Sequence, residues 1–562
     1  MNGAVLLSIA SACFLVGYFV YSRFIAKVVG VDEKRPTPAH TKNDGCDYVP
    51  AHPTVLFGHH FAAIAGAGPI VGPVLAAEFG WVPVICWIIF GCIFVGAVHD
   101  MISMFLSVRY EGKSIGEVIG DILGKPGKIM FLLFSWSALV LVLAEFTRQI
   151  AGTFVADPAI ATASLLFIAE AILFGFCVYR WKMSVLVASL VFVPIMFAFV
   201  WVGNVFPLDL VKLLGWSPDV VRTVWILVLL VYCFGASTCP VQFLLQPRDY
   251  LNAYLLYVMM ALGFIGVFVA HPTLQIDTFA GFSAIGRSGT TDMLFPFLFI
   301  TVACGACSGF HALVASGTSS KQVSNERSIR PIAYGGMLLE GVLATISLIG
   351  VAGTYLCQQD YVTHVQAMEP VQMFASTIAG FCVRIGIPQR IAESFMLLSV
   401  SAFLMTSVDA GTRLARFSWQ ELVGKPTVES SFVRKGAHNM YVGTFIVCAL
   451  AAVLLLGNPA VAKQLWTLFG GANQLLASLT LLTVTLWLVS HKKPSWITLV
   501  PMLLMFSVSS WALTKIMISS FERQEWIRFF ASSFLMVLAV VLVVVAVIKI
   551  KWRDIIAKSS VK

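Results

Sequence analysis

Ionisable side chains set within apolar runs are the residues of this sequence best equipped for chemistry. His59, His60, His99 and Asp100 stand at or near the ends of the second and third hydrophobic stretches, His311 near the end of the ninth, and Glu340 inside the tenth. A charge at membrane depth is costly enough that such groups are read as functional first, and imidazole and carboxylate can exchange a proton near neutral pH. His60, His311 and Asp100 are therefore candidates for a proton path, set against the alternative of histidines hydrogen-bonded within a core. Glu145 and Arg148 are spaced i,i+3, and Asp409 and Arg413 i,i+4. Either spacing puts both members on one helix face. Glu145 is expected to pair with Arg148 as a structural bridge or to join the coupling path. Asp409 and Arg413 are expected to form an ion pair that breaks during gating, or a static one at a helix end. Arg248 and Asp249, after Pro247, are expected to organise a hinge.

Nothing points to covalent chemistry. There is no H-E-x-x-H or G-x-S-x-G pattern, and Gly305-Ala-Cys-Ser-Gly309, which imitates a nucleophile elbow, falls in an apolar run where a helix rather than a strand-to-helix turn is expected. Cys304 and Cys307 lack the second pair that a zinc site wants. No enzyme, metal or organic cofactor is expected. A channel would need a filter loop or rings of charge, which are also missing.

The elements that hold these groups are membrane helices. The chain is 59% hydrophobic and 12% charged, with repeated apolar runs of about 20 residues, the length that crosses about 30 Å of hydrocarbon. Short alternating segments of a β-barrel are absent. The pattern predicts an all-α polytopic protein of about 15 transmembrane helices. The first run, Ala4 to Tyr21, is followed rather than preceded by positive charge (Arg23 and Lys27), so it is expected to be retained as a span. With the amino terminus outside and the carboxyl terminus in the cytoplasm, 27 of the 37 basic residues fall on the cytoplasmic side. That bias accounts for the net charge of +9 without a nucleic-acid partner. Cys46 and Lys425 fall in loops, and the apolar stretch 367–383 is read as re-entrant or interfacial. The resulting division is a first extra span (1–30), a loop (31–57), a transport core (58–415), a loop (416–438), and carboxyl-terminal helices with a basic tail (439–562).

Two spans are expected to be discontinuous. Phe57 to Pro73 has five glycines and prolines between Gly66 and Pro73, and Tyr232-Cys-Phe-Gly-Ala-Ser-Thr-Cys-Pro240 has a similar interruption five spans later. Irregular backbone at membrane depth is tolerated only where it lines protein or a cavity, so a broken span marks a binding site. An odd separation makes the two cross in opposite directions, the geometry of a 5+5 inverted repeat. Gly66, Gly68 and Pro69 suit a cradle of backbone N–H groups for a carboxylate, and Ser237 and Thr238 suit the cap and first turn of the second half-helix. A competing echo pairs Gly58-x-His60-x5-Gly66 with Gly309-x-His311-x5-Gly317, seven spans apart, and ranks second because it rests on three residues. Gly470 to Gln474 reads as an interruption of open purpose.

Several blocks in the same order resemble one family: Asn43-Asp-Gly-Cys-Asp-Tyr-Val-Pro50, Gly58-His-His-Phe-Ala-Ala-Ile-Ala-Gly-Ala-Gly-Pro69, Gly96-Ala-Val-His-Asp100, Leu245-Gln-Pro-Arg-Asp-Tyr-Leu-Asn252, Ser308 to Thr318, Asp409-Ala-Gly-Thr-Arg413 and Leu468 to Leu476. On these the chain resembles the carbon starvation protein A family of bacterial inner-membrane transporters. The resemblance implies a LeuT-like core within the amino acid–polyamine–organocation superfamily. It also implies uptake of small peptides or pyruvate by proton or sodium symport, with an uncoupled facilitator or channel for a small organic anion as the alternative. In the LeuT-like register the hydroxyls of Ser316, Thr318 and Ser319 face the first broken helix and can serve a coupling cation, H+ or Na+. The partners expected are a small-molecule substrate and the lipid bilayer.

Overall fold

The computed structural model describes residues 1–562 except 45–47, 241–243, 288, 290, 425–431, 458–463 and 560–562. Cys46 and Lys425 thus lie outside the described residues. Twelve helices among the described residues are long and apolar enough to cross a membrane, and one bent pair makes a further span. Two more helical stretches, Leu294–Gly317 with its own break and Met440–Leu456, are shorter apolar elements. Each helix satisfies its own backbone, which is why apolar runs adopt this form in lipid. Where the runs start, side chains take up the loose N–H groups: Ser184 accepts from Val187, Ser217 from Val220 and Asn439 from Tyr441.

One face carries the amino terminus, where Asn2 pairs with Thr273, and a small antiparallel hairpin of Ser283–Ile285 with Thr291–Met293. The opposite face carries the basic loops. The helices Gln389–Val423 and Leu465–Ser490 form the centre, with 89% of each apolar window buried, whereas Val185–Leu214 has 17% buried and sits at the rim.

The first expected break is present. Pro53–Ile64 and Gly68–Phe79 meet at 44° across Ala65 to Ala67. The second is elsewhere. Pro218–Thr238 is helical through Thr238 and stops at Cys239, so Gly235 to Pro240 is the end of a complete helix rather than its middle. Proline just beyond a helix end marks termination as readily as a half-helix start. The second break instead divides Leu294–Thr301 from Gly309–Gly317, with Val302 to Ser308 unwound between. Gly305-Ala-Cys-Ser-Gly309 is therefore not inside a helix, as its apolarity suggested, but spans the unwound stretch and the first residue of the following helix. Six complete helices separate the breaks. That is the seven-span spacing of the glycine–histidine echo, and it too is odd. The pair run antiparallel, with Pro53–Ile64 packed on Gly309–Gly317 and the following half-helix on Leu294–Thr301.

The 367–383 stretch forms a 14-residue helix, Pro370–Val383, which at 1.5 Å per residue reaches only about two-thirds of the way across the hydrocarbon. Gly470 to Gln474 does not interrupt its helix, which is continuous from Leu465 to Ser490.

Candidate functional site

Unwinding two neighbouring crossings strands backbone groups where there is no water, and the surrounding helices answer them. The side-chain oxygen of Asn473 accepts from the Phe310 N–H at 2.9 Å, and the Gln474 amide donates to the Phe299 carbonyl. The Trp466 indole donates to Thr301 at 3.3 Å, the Cys92 thiol to Gly305 at 3.1 Å and the Ser347 hydroxyl to Ile70 at 2.8 Å. Gly470 approaches the Ile300 carbonyl so closely that a Cβ would strike it. The segment of open purpose is thus the scaffold of the second break.

Gly68 lies against Cys304, the two breaks touching there with no room for a side chain. This is a packing role rather than a free cradle. Gly68→Val is expected to lower stability by about 1–3 kcal/mol through overpacking, seen as a lower melting temperature of the purified protein. An unchanged melt with lost substrate binding would return Gly68 to the cradle. Gly66 differs. Its bare face meets the Ser407 hydroxyl and the Phe146 ring, and the buried hydroxyls of Ser407 and Thr147 have no hydrogen-bond partner among the described residues. At Gly66 the close neighbour is thus an unpaired hydroxyl, that of Ser407, which is available to a solute.

The breaks bring five of the ionisable groups together. His311, on the first turn after the second break, donates from Nδ1 to Asp100 Oδ2 at 2.8 Å, and its Nε2 lies 3.2 Å from Glu340 Oε2. His99 Nδ1 reaches the other Asp100 oxygen at 2.7 Å. His60, on the last turn before the first break, lies within electrostatic range of Asp100 and His311, and its Nδ1 is 2.8 Å from Ser319 Oγ. All five side chains are fully buried. Neither Glu340 oxygen has an aligned hydrogen bond among the described residues.

The other hydroxyls assigned to a cation serve the backbone. Ser316 donates to Ala312 and accepts from the Ile115 N–H, and Thr318 donates to Val314. From the basic face a cavity of about 520 Å³ reaches Leu313, Ser316 and Gly317 at the end of the second broken span. The opposite face holds a smaller pocket of about 100 Å³.

A family model described as carbon starvation protein CstA matches residues 2–367 and 357–512. The chain belongs to the CstA family. The peptide transporter CstA of Campylobacter jejuni is 32% identical over 561 residues, covering 89% of this chain and 78% of that one. The peptide transporter CstA of Escherichia coli is 33% identical, covering 88% and 78%. The pyruvate/proton symporter BtsT of Escherichia coli is 31% identical, covering 93% and 82%. Among solved structures, MhsT in complex with L-phenylalanine is 12% identical and aligns over 88% of this chain and 99% of that one, with a TM-score of 0.49. This CstA-family chain is a multi-pass membrane protein of a transporter family, not an enzyme.

Two sequence expectations are corrected in this CstA-family protein. Ser237 and Thr238 do not open a half-helix. They close the complete helix Pro218–Thr238, and Arg413 donates to the carbonyls of Ala236 (3.1 Å) and Cys239 (2.6 Å) while Arg416 donates to that of Ser237 (2.7 Å). A carbonyl-bearing terminus is electronegative and repels the carboxylate it was meant to hold. The Asp409 ion pair is with Arg248, not Arg413, and Tyr232 donates to the same carboxylate at 2.8 Å. Arg248 is therefore a buried charge partner rather than the hinge element it resembled. Glu145 does pair with Arg148, at 2.8 Å, and also accepts from Gln149. Sequence reading assigned no role to Asn473 or Ser407, because a lone amide or hydroxyl in an apolar run has no spacing to betray it. For Glu340 and His99 the buried charge was visible but the partner was not.

Proposed function

We propose that this CstA-family chain is a secondary transporter of the bacterial inner membrane. It carries a small carboxylate-bearing solute, a short peptide or pyruvate, into the cell together with a proton. The amino terminus faces the periplasm and the carboxyl terminus the cytoplasm, as the charge bias of the loops requires. The observation that carries this reading is His311 held between Asp100 and Glu340, fully buried on a broken span. Two carboxylates and one imidazolium sum to −1, and a further proton on Glu340 brings the set to zero. Burying net charge in lipid is costly, so the protonated set favours the closed core and its deprotonation favours a reopened one.

The substrate sits at the first break beside Gly66 and Ser407, with Thr147 as a further free hydroxyl, and leaves by the cavity of about 520 Å³ on the basic face. The inverted pair of broken spans rocks against its surroundings to expose that point to each side in turn. Ser316, Thr318 and Ser319 close helix ends and orient His60 in this scheme, which needs no sodium. The names of the relatives, peptide transporter and pyruvate/proton symporter, agree with both solute classes and with the coupling ion.

The test is uptake of labelled pyruvate and of labelled dipeptides into proteoliposomes, each with and without an imposed proton or sodium gradient. Accumulation of one or both under a proton gradient alone is expected. Accumulation that follows sodium instead, or none under either gradient, overturns proton symport.

A further inference from the structure

We propose that the pocket on the amino-terminal face is a reception site for the carboxylate of the incoming solute, and that Glu369, paired with two of the arginines that line it, is a tethered stand-in for that carboxylate. The inference rests on the transport reading above and adds where the solute is first held.

The floor of this pocket is formed by the broken spans themselves, through Val71 and Leu75 of the first and Phe297 and Thr301 of the second. Its walls carry Arg148, Arg287, Lys515, Arg523 and Arg528 against Glu78, Glu145 and Asp292, and Arg528 is also paired with Glu525 at 3.2 Å, so one formal positive charge above the breaks is left for Glu369 to neutralise. Three of these cations come from the last two helices and the turn between them: Lys515 in Trp496–Glu522, Arg523 at its end and Arg528 in the helix that starts at Trp526.

The carboxylates paired with the arginines of this pocket are not equivalent. Glu145 is fully buried, takes both Nε and Nη2 of Arg148 at 3.1 and 2.8 Å, and accepts a third bond from Gln149. It is fixed. Glu369 is about one-fifth exposed and lies with one oxygen 2.9 Å from Arg287 and 3.5 Å from Arg148. Partly exposed pairs are weakly held, and guanidinium groups accept a free carboxylate in the same fork geometry. A solute carboxylate can therefore take the place of Glu369 between Arg287 and Arg148 without disturbing the Arg148–Glu145 pair. Arg287 falls between the two strands of the hairpin, and Asp292 of the second strand lines the same pocket.

A stand-in and a mere structural brace predict different signs. In oriented proteoliposomes, with labelled pyruvate and labelled dialanine offered from the amino-terminal face, Arg287→Ala is expected to raise KM about tenfold, and Arg287→Lys to recover most of the loss. Glu369→Gln removes the competitor and is expected to lower KM severalfold. Melting temperatures of the purified variants verify that they are folded. If the Arg287→Ala and Glu369→Gln variants shift KM in the same direction, or leave it unchanged, the stand-in is overturned. Absence of saturable uptake by the unaltered protein would overturn the transport reading itself, and this inference with it.

Discussion

Glu340→Gln is expected to abolish accumulation driven by a proton gradient while exchange of labelled for unlabelled solute continues. His311 lies between Asp100 and Glu340, on a helix that begins at the second break. With glutamine at 340 the cluster has the charge of its protonated state permanently, so the core can close and reopen with solute but no longer with a proton. Removing a positioned acid–base group costs about 100-fold or more in steps that depend on it, and uphill uptake depends on this one entirely. His311→Gln removes the bridge between the carboxylates and is expected to give the same phenotype with poorer folding, because Asp100 and Glu340 are then buried without a cation between them. The sign of the pH response follows. In the unaltered protein uptake rises as the amino-terminal face is acidified relative to the other, and in Glu340→Gln it is flat. Exchange lost in parallel with accumulation would mean that Glu340 holds the fold rather than the proton.

The membrane class and the first break were legible because both are properties of single segments. An apolar run of given length spans lipid, and five glycines and prolines in a row of eight residues unwind it. The second break was legible only in part. Gly235 to Pro240 has the right residues but sits at a helix end, and local composition does not distinguish an end from a middle. The Gly58–His60 and Gly309–His311 echo contained the answer, since both histidines stand within five residues of a break and face one cluster. Its weight came from tertiary packing that spacing cannot express. The pairing of Asp409 failed for the related reason that i,i+4 geometry permits a pair but does not exclude a better one. Arg248, 161 residues away, reaches Asp409 from another helix, and Arg413 answers the orphan carbonyls of Pro218–Thr238.

That distant pair carries the second large effect. Arg248 and Asp409 are each about 1% exposed, and together they tie Leu245–Ala270 to the central Gln389–Val423 helix. Arg248→Met is expected to destabilise the protein by about 3–5 kcal/mol, since it leaves Asp409 charged and buried, with the Tyr232 hydroxyl as its remaining hydrogen-bond donor among the described residues. Asp409→Leu strands Arg248 with comparable cost. The double variant leaves neither charge behind, and replacing a buried pair by apolar groups is commonly close to neutral, so it is expected to recover most of the loss. Thermal unfolding of the two single variants and the double variant in detergent measures all three. Function separates a brace from a gate. If the pair only braces the fold, the double variant transports like the unaltered protein. If its breaking and remaking sets the pace of opening toward the basic face, the stable double variant binds solute but turns over at an altered rate. Asp249, next to Arg248 in the chain, lies 3.5 Å from His59, and both line a small cavity with Arg413, so the pair stands beside further charged groups that can exchange partners, which favours the gate.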